Sequence, residues 1–174
     1  MLECLDEGVV LVAELLESAV LGVNEAFYVM DGEILEGNQS PGPGSWGEEI
    51  SPPGQDWLDV GSSSITLWGS TSAEGRYIRF ELWDGPPADS PWPLCWEGDL
   101  LLTSGKLHVV PFSDVAFHSP LFDVGRGGEV WRVRMRTKLV ENDHEPDFPP
   151  GIYRVDLYVM QVWTSSGQVS RLSV

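Results

Sequence analysis

Apolar residues in this chain recur at every second position in several separate stretches. In Gly151-Ile152-Tyr153-Arg154-Val155-Asp156-Leu157-Tyr158-Val159-Met160-Gln161-Val162-Trp163 the odd positions Tyr153, Val155, Leu157, Val159 and Trp163 are apolar apart from Gln161, while Arg154, Asp156 and Tyr158 fall on the other side. A repeat of two is the period of a strand, and it predicts that the odd face lies on a core. Asp147-Phe148-Pro149-Pro150-Gly151 before it predicts a turn, because proline has no N–H for a ladder and glycine relaxes φ. Residues 129–138 alternate in the same way, with Trp131, Val133, Met135 and Thr137 predicted inward and Arg132, Arg134, Arg136 and Lys138 outward together. In residues 75–83, Ile78, Phe80 and Leu82 share the core face, with Tyr77, Arg79, Glu81 and Trp83 opposite. That arm is expected to form a hairpin with residues 64–69 and to end at Asp84-Gly85-Pro86-Pro87-Ala88-Asp89-Ser90-Pro91. A second hairpin is expected between residues 94–103 and 106–110 through Ser104-Gly105. Residues 9–13 and 25–30 read as further strands, the latter closed by Asp31-Gly32, although Leu2, Leu5, Val9, Val12, Leu16 and Ala19 also fit a helical spacing interrupted by Gly8.

Short strands separated by turn signals predict an all-β protein, a single-domain antiparallel β-sandwich over residues 1–174. A hydrophobic content of 42% with eight tryptophans supplies a core for that length. Residues 36–55 break the alternation with Gly, Pro, Ser and acidic residues, which predicts a long loop pinned at its ends by Trp46 and Trp57; loops of this length are commonly functional or disordered. Cys4 and Cys95 show no metal-ligand spacing and read as buried free thiols. No apolar run approaches the roughly 20 residues that span a bilayer. The acidic opening is unlike a secretory leader, so a cytoplasmic location without membrane contact is expected.

The net charge is −17, and it is unevenly placed: residues 1–75 hold fourteen acids and no Lys or Arg, whereas residues 76–174 hold thirteen acids and all ten bases. Such a field repels nucleic acid and anionic lipid and attracts a basic protein partner, although acidity also serves solubility. Glu36, Trp46, Glu48, Glu49, Asp56 and Asp59 are therefore the expected partner contacts. Arg132, Arg134 and Arg136 form the densest positive feature. They suit an anion clasp, or else a solvated face whose charges pair with acids such as Asp156 and Glu81 on neighbouring strands. Asp143-His144-Glu145-Pro146-Asp147 groups possible cation ligands but lacks the glycine of a calcium loop, and His108 and His118 have no identifiable catalytic partner nearby in sequence. Ser62-Ser63-Ser64 lacks a nucleophile-elbow setting, and no phosphate-cradling, dinucleotide or paired-cysteine motif occurs. No cofactor, metal or enzymatic activity is expected. Tyr77, Trp83 and Tyr158 sit opposite the inferred cores, and Trp92 lies between prolines; a partner, a second copy of the chain in a homo-oligomer, or loops folded over the sheet would cover them.

Phe27-Tyr28-Val29, Arg79-Phe80-Glu81-Leu82-Trp83-Asp84-Gly85-Pro86-Pro87 and Pro150-Gly151-Ile152-Tyr153-Arg154-Val155 resemble, in that order, the competence protein J-like group of small bacterial β-sandwich proteins. That group includes an inhibitor of a DNA-entry nuclease and actinobacterial relatives of unknown role. The resemblance spans residues 24–163 and implies the β-sandwich. Where relatives continue the last strand into an Arg-rich segment, this chain has Val155-Asp156-Leu157-Tyr158, so no functional residue is carried over. The resulting expectation is a non-enzymatic acidic module that binds protein, as an inhibitor or immunity-like partner of a basic nuclease or toxin. The alternatives are a small-ligand or carbohydrate-binding sandwich using Trp83 and Tyr158, or a structural subunit of an assembly.

Overall fold

The alternating stretches do become strands, and they stack as two five-stranded sheets. This computed structural model describes residues 9–18, 26–32, 49–70, 72–111, 122–141 and 150–164. The strands are β1 (Leu11–Ser18), β2 (Phe27–Asp31), β3 (Leu58–Val60), β4 (Ser64–Leu67), β5 (Gly75–Trp83), β6 (Leu94–Leu102), β7 (Lys106–Pro111), β8 (Phe122–Asp123), β9 (Glu129–Val140) and β10 (Val155–Thr164). The first sheet has the order β1-β5-β10-β9-β6 and the second β3-β4-β2-β7-β8. Pairing is antiparallel throughout except between β5 and β10, which run parallel from Val155 opposite Gly75 to Val162 opposite Leu82. The protein is an all-β sandwich, as the repeat of two required.

The inner faces meet in one apolar core. The first sheet contributes Ile78 and Phe80 from β5, Trp131, Val133 and Met135 from β9, and Tyr158, Met160 and Val162 from β10. The second contributes Phe27 and Val29 from β2, Ile65 and Leu67 from β4, and Leu107 and Val109 from β7. Phe80 stacks on Phe122 at 5.2 Å, and Phe27 meets Tyr158 edge-on at the same distance. The inward sides assigned to β5 and β9 hold. The side assigned to β10 is reversed: its even residues face the second sheet, and Tyr158 is a core residue whose hydroxyl donates to the Trp68 carbonyl at 2.9 Å. The odd residues Val155, Leu157 and Val159 form a smaller cluster on the outer face with Val140, Tyr77 and Trp92. The alternation misled because β10 is central and covered on both sides; all ten of its residues are buried. A strand buried on both faces carries little information about which side is which.

Neither expected hairpin forms. β4 and β5 belong to different sheets, as do β6 and β7, so both connections are corners that carry the chain across the sandwich. At the first corner Gly69 lies against Arg76; a Cβ at Gly69 would stand 1.9 Å from the guanidinium Nε. At the second, Asp31 accepts from the Ser104 amide through both carboxylate oxygens, at 3.0 and 3.1 Å. Residue 105 adopts φ +70° there. Cys95 is a free thiol but exposed, not buried, because β6 is an edge strand and Cys95 lies on its outer side. Cys4, His118 and the 143–147 loop lie outside the described residues, as do Glu36, Trp46 and Glu48.

Candidate functional site

Two surfaces concentrate polar chemistry. On the outer face of the first sheet, strand register sets Glu97 opposite Arg134, Asp99 opposite Arg132 and Cys95 opposite Arg136. Across β10, Gln161 lies beside both Arg134 and Glu81. Residues 84–93, which leave β5 through a proline-rich run with few amides to offer a ladder, fold back over this face as a strap. Arg134 Nη1 donates to the Pro87 carbonyl at 3.0 Å and Nη2 meets Asp89 at 3.0 Å. Arg136 Nη1 donates to Ser90 Oγ. The guanidinium of Arg136 and the ammonium of Lys138 stand 5.0 and 4.6 Å from the centre of the Trp92 ring, and Arg134 lies over Trp163. The strap is thus pinned by hydrogen bonds and cation–π contacts to the arginine row itself.

The row is therefore largely engaged in internal pairs. Glu97 bridges Arg132 (2.9 Å) and Arg134 (3.1 Å), and Asp99 adds a second contact to Arg132 at 3.2 Å. Partners on a neighbouring strand were expected, but Asp156 is not among them: it faces the other side and accepts from the Ser70 amide and hydroxyl at 2.7 and 2.9 Å. Glu81 does share the row's face, and its charge favours the Arg136 cation, which burial otherwise disfavours. Burial would push the Glu97 carboxyl up, but the hydrogen bonds from Arg132 and Arg134 outweigh it and hold Glu97 below its usual 4.5. A depressed folded-state pKa contributes stability above the unfolded value, and that contribution is lost as the pH falls through the folded one. Urea midpoints measured from neutrality downward should drop once the pH passes below 4.5, and Glu97→Gln should lower the neutral midpoint and flatten that drop. An unchanged acid limb in the variant would remove Glu97 from the account.

Beneath the strap a hollow of about 500 Å³ remains, lined by Glu81, Trp83, Pro86, Pro87, Arg136 and Gln161 among others. Glu81 Oε2 accepts from Trp83 Nε1 at 2.9 Å and from Gln161 Nε2 at 2.7 Å. Two buried atoms there, Arg136 Nε and Gln161 Oε1, have no hydrogen-bond partner among the described residues.

The second surface lies at one end of the sandwich, a groove of about 460 Å³ lined by Asp56, Trp57, Trp68, Pro93, Leu94 and Lys138 among others. Trp57 is buried in the core. Trp68 is 44% exposed, and its Nε1 donates to Asp59 Oδ2 at 2.9 Å, while Ser51 Oγ donates to Asp59 Oδ1. Asp56 is exposed beside it. Glu49 lies against β4 on the side away from the core: its carboxylate accepts from Ser64 Oγ at 3.1 Å and Thr66 Oγ1 at 2.7 Å. It also joins burial in raising Tyr28 to about 12. Of the six residues singled out as partner contacts, Asp56 lines the groove, Asp59 holds the groove's Trp68, and Glu49 serves the second sheet.

Trp68, Glu81, Gln161 and the strap were not picked out as site residues in the sequence. Gln161 carried a signal nonetheless, as the single polar residue in the odd row of β10. Glu97 and Asp99 carried another, being spaced by two like the arginines they face. Among the described residues no group of three or more His, Cys, Asp or Glu side chains could hold a metal ion, and no helix is long and apolar enough to cross a membrane.

No family model matches the chain, and no curated protein matches it. Among solved structures the fold is similar to crocagin biosynthetic gene J, at 15% identity and a TM-score of 0.52, over 88% of this chain and 99% of that one. It is also similar to ComJ of Bacillus subtilis, the inhibitor of the DNA degrading activity of NucA, at 10% identity and a TM-score of 0.53, over 90% of this chain and 98% of ComJ. At such identities the likeness is one of fold: this chain is a β-sandwich similar in fold to ComJ.

Proposed function

We propose that the protein is a non-enzymatic cytoplasmic module that captures a basic protein, as an inhibitor or immunity-like partner of a basic nuclease or toxin. The observation that carries this reading is the groove at Trp68, where an exposed indole is held in place by Asp59 beside the exposed Asp56. A fixed, half-exposed tryptophan among carboxylates suits a partner that presents Lys or Arg, since aromatic anchors dominate interface energy and opposite charge steers encounter. The distribution of internal ion pairs supports it. Arg126, Arg132 and Arg134 pair with Glu129, Glu97, Asp99 and Asp89, all from the later part of the chain where acids and bases nearly balance. Arg79 and Arg154 reach back to Glu14 and Glu74. Among the early acids whose side chains are described, Asp56 is exposed at the groove, whereas Glu14 and Glu74 are the acids paired across to the later part. The similarity to ComJ agrees with a nuclease as that partner.

Calorimetric titration with a basic nuclease encoded in the same organism tests this. Raising the salt from about 50 to about 500 mM should weaken binding steeply. Asp56→Lys should weaken it by about tenfold at the lower salt, close to 1.4 kcal/mol. Affinity indifferent to both would sink the reading.

A further inference from the structure

The hollow beneath the strap stands apart from the groove, and what it implies does not depend on a protein partner. Its polar wall is built from three side chains that are each more than nine-tenths buried: Glu81 at 8% exposure, Arg136 at 7% and Gln161 at 3%. Buried polar atoms in folded proteins are almost always satisfied, so two unpartnered atoms in one wall require an explanation. Arg136 Nε offers a donor and Gln161 Oε1 an acceptor. The orientation of the Gln161 amide is fixed chemically. Its Nε2 donates to Glu81 Oε2, and turning the group over would set oxygen against a carboxylate that already accepts from Trp83. The remaining wall is apolar, with Trp83, Pro86 and Pro87 from the end of β5 and the strap, and Ala88 at its rim.

We propose that this hollow binds an uncharged planar amide, the peptide group or carboxamide of a ligand with an apolar flank, whose carbonyl accepts from Arg136 Nε and whose N–H donates to Gln161 Oε1. Competing classes fit less well. A carboxylate would satisfy Arg136 but bring no donor to Gln161 and would face Glu81. A cation would face Arg136. An amide brings one acceptor and one donor, side by side in a primary carboxamide and on opposite edges of a trans peptide group, and adds no charge to a wall in which Arg136 and Glu81 already offset each other. A site built to hydrogen-bond a particular group discriminates strongly against analogues lacking it.

The test uses the full-length protein and a pair of probes of the same shape, isocaproamide and isocaproic acid, of which only the first carries an amide, followed by nitrogen-15 NMR. The amide should shift the Trp83 indole and Gln161 side-chain resonances saturably, with nuclear Overhauser contacts to the Trp83 ring, and the acid should bind at least about tenfold more weakly. Propionamide and N-acetyl-leucine methylamide then separate a side-chain carboxamide from a peptide group, and saturation by either one supports the site. Gln161→Met removes the acceptor and should reduce the amide's affinity to that of the acid. Ala88→Trp, in the exposed part of the strap, leaves the polar wall intact and should block both probes. Equal affinity for amide and acid, saturation at resonances away from β5, β10 and the strap, or no response to any probe, which would leave water as the partner of both atoms, would each overturn the proposal.

Discussion

Replacing Gly105 by alanine should lower the free energy of unfolding by about 3 kcal/mol, read as a fall in urea midpoint with the slope unchanged. Two costs combine. Residue 105 sits at φ +70°, a left-handed conformation that costs an L-residue roughly 1–2 kcal/mol. The added Cβ would also stand 2.4 Å from the Arg126 carbonyl oxygen, 2.6 Å from its carbon and 2.9 Å from the Gly127 nitrogen. These are backbone atoms, so no side chain can swing aside, and the Val124 amide bonded to the Gly105 carbonyl at 2.9 Å would have to move with them. Gly54 is the internal control: it has φ +74° and nothing within 4 Å of a built Cβ. Gly54→Ala should therefore cost only the conformational part, about 1–2 kcal/mol. Equal losses in the two variants would show that the close approach at the β6–β7 corner carries no energy of its own.

That corner also shows what the amino-acid order could and could not convey. Alternation specified the strands well, because it depends only on each residue's own side of the pleat. It did not specify sheet membership, because Ser104-Gly105 suits a tight hairpin and a crossing corner alike. The choice is made by distant partners: nine residues of β6 pair with β9, and Asp31, more than seventy residues upstream, binds the Ser104 amide. The same holds for residues 70–74, where β5 is claimed by β1 and by a parallel β10 instead of by β4. The candidate sites divide along the same line. That an arginine row would be matched by acids on a neighbouring strand follows from charge. Which strand supplies them, and that residues 84–93 fold back over the row, depends on strand order. Prolines announced the end of β5 but not the direction the chain takes afterwards.

The strap's dependence on one side chain leads to the second large effect: Arg134→Met should cost about 2–3 kcal/mol. Methionine fills much of the volume, so the loss is mostly polar. The buried Pro87 carbonyl is left without its donor, Glu97 keeps only Arg132 of its two arginines, and the contact over Trp163 weakens. The Asp89 pair adds little, because its carboxylate is 94% exposed and screened by water. Most of the loss should appear locally, as faster amide exchange in residues 84–93, before it appears as lower global stability. Arg134→Lys separates charge from shape. An ammonium restores the pairing with Glu97, but it cannot reach Glu97, Asp89 and the Pro87 carbonyl at once as the planar guanidinium does. Lysine should therefore recover less than half of the stability and little of the exchange protection over the strap. Full recovery with lysine would mean that the positive charge alone holds the strap down, and that the three-point fit of Arg134 is incidental.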